Sequence, residues 1–195
     1  MPARQQLQNW SKLGRDTLIE LNQYEIYLAK YVAKKRNINS RKKNIFDMKH
    51  DKKSSSMDID ILGAMSELAA CKLLGIYPQG LFDIGPKSKM QRTDPGDIIY
   101  SGYALDVKAT KHLNGRLIEN SRHSKVDIYC LLVQDTEKSF ILKGFYPAVD
   151  LLISSNYGHH KVFNYPCYAI DQDNLMSFSE CCDRVNSFSV DYGTS

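Results

Sequence analysis

The sequence predicts an α/β fold in which an open sheet is flanked by helices and preceded by a helical segment. Three observations predict it. Stretches with apolar residues at mixed three-and-four spacing are followed by short β-branched and aromatic runs that alternate at period two. Two of those runs are separated by Ser101-Gly102, the spacing of a tight hairpin. The chain has 195 residues, 43% hydrophobic and 25% charged, enough for one domain with a proper core and little room for two.

The elements follow in chain order. Leu18, Leu21, Ile26, Leu28 and Val32 give 7–36 an apolar helical face. Residues 37–56 are rich in Lys, Arg, Asn and Ser and read as a basic loop or linker. A domain division at 1–57 and 58–195 follows, a basic N-terminal extension and a main fold. Residues 59–74 form the clearest helix, with Ile61, Leu62, Met65, Leu68, Ala69 and Leu73 in helical register. Ser56 or Asp58 can cap it, and Gly75 is placed to stop it. Glu67 lies in the middle of this apolar and small-residue stretch. Asp97 to Tyr100 is a short strand, Tyr103 to Thr110 its return, and 111–125 a basic loop. Strands are expected at 126–133 and 139–145, a short helix from Pro147 through Ile153, a strand at 167–170 and a last helix.

Composition narrows the class. No apolar run reaches the roughly 20 residues of a membrane helix, and the N-terminus lacks the pattern of a secretory leader. Both point to a cytoplasmic protein with no membrane partner. The five cysteines are odd in number, without paired or metal-ligand spacings, and read as reduced, mostly buried thiols. Net charge is +4, but residues 1–57 carry 13 Lys/Arg against 5 Asp/Glu while the rest carries 13 against 17. A basic arm on a mildly acidic body suggests a polyanionic partner.

The chemistry gathers at Asp106-Val107-Lys108. Residues two apart on a strand share a face, so Asp106 and Lys108 point one way while Leu105, Val107 and Ala109 point to a core. The hairpin turn brings Asp97 near Asp106. Two carboxylates make a hard oxygen site suited to Mg²⁺ or Mn²⁺, with the Val107 carbonyl as a third protein ligand. Such an ion would polarise a phosphate and acidify a bound water. Lys108 would orient that water or stabilise charge in the transition state. Glu67 could extend the shell from the preceding helix. His159-His160 carries little, because neighbours on an extended chain point apart.

The stretch Asp94-Pro95-Gly96-Asp97-Ile98-Ile99, then Leu105-Asp106-Val107-Lys108-Ala109-Thr110, resembles the PD-(D/E)XK nuclease superfamily. The upstream Gly63-Ala64-Met65-Ser66-Glu67-Leu68-Ala69-Ala70 helix and the Lys143-Gly144-Phe145-Tyr146-Pro147 strand-to-helix turn extend the likeness over about 58–171. There are two departures. Gly96 interrupts the motif's Pro-Asp, and the second acid is the shorter Asp106 rather than Glu. The resemblance implies a restriction-endonuclease-like core, a four-stranded mixed sheet between helices (αβββαβ), with the N-terminal helical extension added. It implies phosphodiester hydrolysis with Asp97 and Asp106 as metal ligands, Lys108 as catalytic lysine and Glu67 as helix carboxylate. The expected substrate is DNA, with RNA also open. A DNA endonuclease comes first. A Holliday junction resolvase or exonuclease of the same superfamily, or a nucleic-acid-binding protein on this fold that does not cut, are the alternatives. A homodimer would suit paired cuts. The location would be the nucleoid, or a host cytoplasm for a phage protein. Lys42, Lys43, Lys89, Arg92, Lys111, Arg116, Arg122 and Lys125 are the cations placed to grip phosphates.

Overall fold

The computed structural model describes residues 14–42, 55–79, 81, 96–120, 125–159 and 166–191. The fold is mixed α/β. Its main sheet has five strands in the order β1-β6-β5-β3-β2. These are β1 (Thr17–Glu20), β2 (Ile98–Tyr100), β3 (Tyr103–Thr110), β5 (Ile128–Thr136) and β6 (Ser139–Pro147). The β3–β5 pair is parallel and the others are antiparallel. A second, three-stranded sheet has the order β4-β8-β7, from Leu117–Glu119, Cys167–Ile170 and Tyr157–Gly158. The helices are α1 (Gln23–Lys42), α2 (Ser56–Leu74), the short α3 (Ala148–Leu151) and α4 (Phe178–Asp191).

Alternation along the central strands explains the layering. Leu105, Val107, Ile128, Cys130 and Leu132 join one apolar cluster with Ala29, Val32, Met65, Leu68 and Cys181 from the long helices. Tyr129 and Leu131 point the other way, into a second cluster with Leu117, Ala148, Leu151, Tyr168 and Ile170. Strand β5 is therefore buried on both faces over Ile128–Val133, which is why it reads as a continuous apolar run. The small sheet and α3 cover one face of the main sheet, and α1, α2 and α4 cover the other.

Three helices begin with the same device. Asn22 Oδ1 accepts from the Glu25 N–H while Glu25 Oε2 accepts from the Asn22 N–H. Ser55 and Asp58 repeat the exchange at α2, and Ser177 and Glu180 at α4. Each such box satisfies amide donors that a helix start leaves bare. Helix α2 ends on Gly75, whose φ of 66° is left-handed and whose N–H returns to the Cys71 and Lys72 carbonyls.

The structure corrects several expectations. The segment 7–36 is not one helix: Thr17–Glu20 is a strand, paired with β6 through Thr17↔Leu142 to Glu20↔Ser139. It adds a fifth strand to the four expected, and it makes this part of the N-terminal segment an edge of the main sheet. Helix α1 continues to Lys42 where a basic loop was expected from 37, while 43–54 lie outside the described residues. The cap of α2 is Ser55, with Asp58 as its reciprocal partner, rather than Ser56 or Asp58. The basic loop 111–125 contains strand β4, and the strand at 167–170 belongs to the small sheet rather than the main one. The helix after Pro147 stops at Leu151. All five cysteines are buried free thiols, as expected.

Candidate active site

The hairpin β2–β3 builds the centre of the site. Ser101 and Gly102 have φ of 52° and 88°, both left-handed, which is the tight turn whose twist suits two antiparallel strands. Pairing Ile98↔Leu105 and Tyr100↔Tyr103 then fixes Asp97 immediately before β2. Gly96 sets the entry. Its φ is 96°, and a Cβ there would stand 2.5 Å from the Leu105 carbonyl oxygen, so only glycine lets the chain lie this close to β3.

Asp97 is bound to its place by the backbone. Its N–H donates to the Leu105 carbonyl at 2.8 Å, and its Oδ2 accepts from the Val107 N–H at 2.9 Å. Strand geometry sends the Val107 carbonyl toward the same side as its N–H, the side on which Asp97 sits. Burial pushes the Asp97 carboxyl well above the usual carboxylate range, and the charges of Asp106 and Glu67 push it further, against the pull of the Val107 N–H. Asp97, just before β2, thus feels the charges of Asp106 from β3 and of Glu67 from the middle of α2. Their proximity is also felt by Cys71, one helical turn after Glu67, whose thiol is pushed up to about 12 by burial and by Glu67 and Asp97.

Two of the acids have cationic partners. The Arg36 guanidinium of α1 donates to both oxygens of Glu67 at 2.8 and 3.0 Å and to the Leu81 carbonyl. Lys108 Nζ lies 2.9 Å from Asp106 Oδ2 and 2.8 Å from Glu119 Oε2, above the Tyr129 ring at 5.5 Å from its centroid. Burial by itself would lower the Lys108 ammonium, but the two carboxylates outweigh it and hold it above its ordinary value. Lys108 is thus a cation fixed between two carboxylates.

The structure brings Asp97, Asp106, Val107 and Lys108 together on the β2–β3 hairpin, with Glu67 near enough to raise the Asp97 carboxyl. Sequence reasoning missed Arg36 and Glu119. Arg36 sits on α1, which packs along α2. Glu119 sits on β4, set beside Lys108 by the β4–β8 pairing Leu117↔Ile170 to Glu119↔Tyr168. Its one sequence signal is an acid inside an otherwise apolar Leu-Ile-Glu triplet within a basic segment.

The expected phosphate-gripping cations divide. Lys111 and Lys125 are exposed, at the end of β3 and before β5. Arg116 is held by Asp171 in a bidentate pair at 2.6 and 3.0 Å, so it meets a phosphate only by giving up that partner. Lys42 is the last residue of α1. Lys43, Lys89, Arg92 and Arg122 lie outside the described residues, as do Asp94, Pro95 and His160.

The donor set fits a hard divalent cation in its chemistry: carboxylate oxygens and a backbone carbonyl, with no nitrogen or sulfur required. Among the described residues, no set of three or more His, Cys, Asp or Glu side chains stands ready-arranged around one point. Asp97 and Asp106 would hold the ion, with Glu67 behind them, after Asp106 yields Lys108 to Glu119. Among the described residues, no helix is long and apolar enough to cross a membrane. Comparison with protein-family models, with curated proteins and with solved structures finds no match.

Proposed function

We propose that this chain is a metal-dependent nuclease of the PD-(D/E)XK type, with a restriction-endonuclease-like core, that hydrolyses DNA at Asp97, Asp106 and Lys108 with Mg²⁺ or Mn²⁺. One observation carries the reading. Asp97 is folded back onto the Val107 N–H, beside Asp106, which is itself two residues from a lysine held by a carboxylate of another sheet. Half-buried carboxylates this close repel one another, Lys108 offsets only Asp106, and a hairpin with a glycine entry holds Asp97 beside it.

A divalent cation bound there supplies Lewis acidity toward the scissile phosphate and acidifies the attacking water. Asp97 and Asp106 would hold that ion, with the Val107 carbonyl as third ligand. Lys108 donates to a non-bridging phosphate oxygen or to the water, and offsets the charge that gathers as the water oxygen bonds to phosphorus and the P–O ester bond breaks. Glu119, 2.8 Å from Lys108 Nζ, would keep the ammonium in place if Asp106 served the ion. Glu67, neutralised in part by Arg36, completes the acidic shell through water. Lys111 and Lys125 are the exposed cations nearest in sequence to β3 and β5 for the flanking phosphates.

Supercoiled and linear DNA incubated with Mg²⁺ or Mn²⁺ test this reading. The wild type is expected to cut both, and Lys108→Ala to lose at least about 100-fold in rate, the scale of a removed transition-state donor. EDTA abolishes cutting. Cleavage that survives in Lys108→Ala contradicts the assignment. One observation favours a second reading, a nucleic-acid-binding protein that does not cut: the Lys108 ammonium bonds the same Asp106 that the cation needs. Tight binding of duplex, branched DNA and RNA with none of them cleaved would select it.

A further inference from the structure

Helix α1 carries a face that neither the core nor the site uses. Its inner side packs Ala29, Val32 and Ala33 into the helical cluster and sends Arg36 to Glu67. Its outer side presents Tyr24, Tyr27 and Tyr31, which are 87%, 73% and 48% exposed. Positions 24, 27 and 31 are three and four apart, so the rings form one stripe. Lys30, Lys34 and Lys35 are exposed along the same stripe, and the Lys35 ammonium stands over the Tyr31 ring at 5.5 Å. The helix has one acid, Glu25, and it is turned away from this face and tied to Lys72.

We infer that this face of α1 is a binding platform for unpaired bases of a nucleic acid, with the tyrosines stacking on bases and the lysines meeting phosphates. Charge and shape both select that occupant. Three cations without a carboxylate attract a polyanion and repel a second copy of the same face. Rings left this open to water gain by covering their faces, and bases offer flat partners regardless of sequence. The rings are spaced about 4.5 and 6 Å along the helix axis, wider than the roughly 3.4 Å rise of stacked bases. Each ring thus takes a base drawn out of its stack, which a duplex resists and a single strand or unpaired region allows. The inference deepens the nucleic-acid reading above by naming the part of the substrate that is held, and it concerns binding rather than cutting.

The test measures fluorescence anisotropy of a labelled mixed-sequence single strand and of the same sequence as a duplex, with full-length protein in EDTA so that no probe is cleaved. The variant Tyr24→Ser/Tyr27→Ser/Tyr31→Ser is expected to bind the single strand at least about tenfold more weakly, from the loss of stacking. The matching triple Tyr→Phe variant keeps the rings and is expected to stay within about twofold of wild type. Lys30→Ala/Lys34→Ala/Lys35→Ala is expected to flatten the log-affinity against log-salt slope by up to about two, at roughly 0.7 per single-strand phosphate contact. All three positions in each set are exposed, and circular dichroism checks that the helix survives. Unchanged single-strand affinity in the Ser variant overturns the inference. So does an equal loss for single strand and duplex, or binding to anionic phospholipid vesicles or polyglutamate in place of the oligonucleotide. Failure of the chain to cleave any substrate leaves these outcomes as they stand, so the two readings fail separately.

Discussion

Lys108 is gripped by two carboxylates of different origin, and their roles separate. Asp106 is its neighbour on the same strand face, while Glu119 reaches it from the small sheet with its side chain only 9% exposed. If Asp106 serves a cation during the reaction, Glu119 alone orients the ammonium. Glu119→Ala is then expected to lower the cleavage rate about 10- to 100-fold, the usual cost of removing a partner that orients a site residue. Glu119→Gln, which keeps an acceptor oxygen, is expected to lose less. Steady-state kinetics at saturating DNA check this, and a Glu119→Ala enzyme as fast as wild type would show that Asp106 suffices. Glu119 was illegible in the sequence because its partner is distant along the chain and its strand has three residues, too few to show alternation. Asp97, Asp106 and Lys108 were legible because a hairpin is local. Once Ser101-Gly102 is read as the turn, register alone puts the acids together and Lys108 on the face of Asp106.

At the scale of elements, the start of α1 offers a test with a pH signature. Glu25 closes the cap with Asn22 and also accepts from Lys72 of α2 at 2.8 Å, so one carboxylate joins a helix end to its neighbour. Burial is the largest single effect on Glu25 and raises it, but the Lys72 ammonium and the Asn22 N–H together outweigh it and set the carboxyl below its ordinary 4.5. A carboxylate lowered by folding stabilises the fold above its unfolded value, and the contribution disappears as pH falls through the folded value. Glu25→Gln is therefore expected to cost about 0.5–1 kcal/mol at neutral pH, modest because the pair is partly exposed. The difference from wild type should narrow as pH falls below 4.5 and vanish only once pH is below the lowered folded value. Urea unfolding at several pH values checks it, and a constant difference across the range would contradict the assignment. This same cap explains one misreading of the sequence. Leu18 and Leu21 fit a helical repeat by spacing, yet Asn22-x-x-Glu25 marks the true start, and Leu18 is exposed on the edge strand before it. The two-residue strand β7 and the three-residue β4 are too short to show a pattern, and β4 is created by a distant pairing with β8.

For the whole molecule, the layering of helices, main sheet and small sheet is what assembles the site. The helical layer supplies Glu67 and Arg36, the main sheet supplies Asp97, Asp106 and Lys108, and the small sheet supplies Glu119. They meet where β2 ends and β3 runs on, at an edge of the main sheet, so the acids sit at the junction of two packed cores. The gross α/β character followed from periodicity, because long helices and a doubly buried strand leave strong patterns. The second sheet did not, because it rests on contacts between chain segments far apart. The central claim is that Asp97 and Asp106 are held together for a divalent cation, and direct Mn²⁺ binding tests it most directly. Titration of the metal-free protein followed by the electron paramagnetic resonance signal of free Mn²⁺ is expected to show binding by wild type and by Glu119→Gln. Asp97→Asn and Asp106→Asn are each expected to lose it. Wild type should also gain about 2.7 kcal/mol of stability at Mn²⁺ one hundred times its Kd. Mn²⁺ binding that is equal in all four proteins, or absent from the wild type, would contradict the claim.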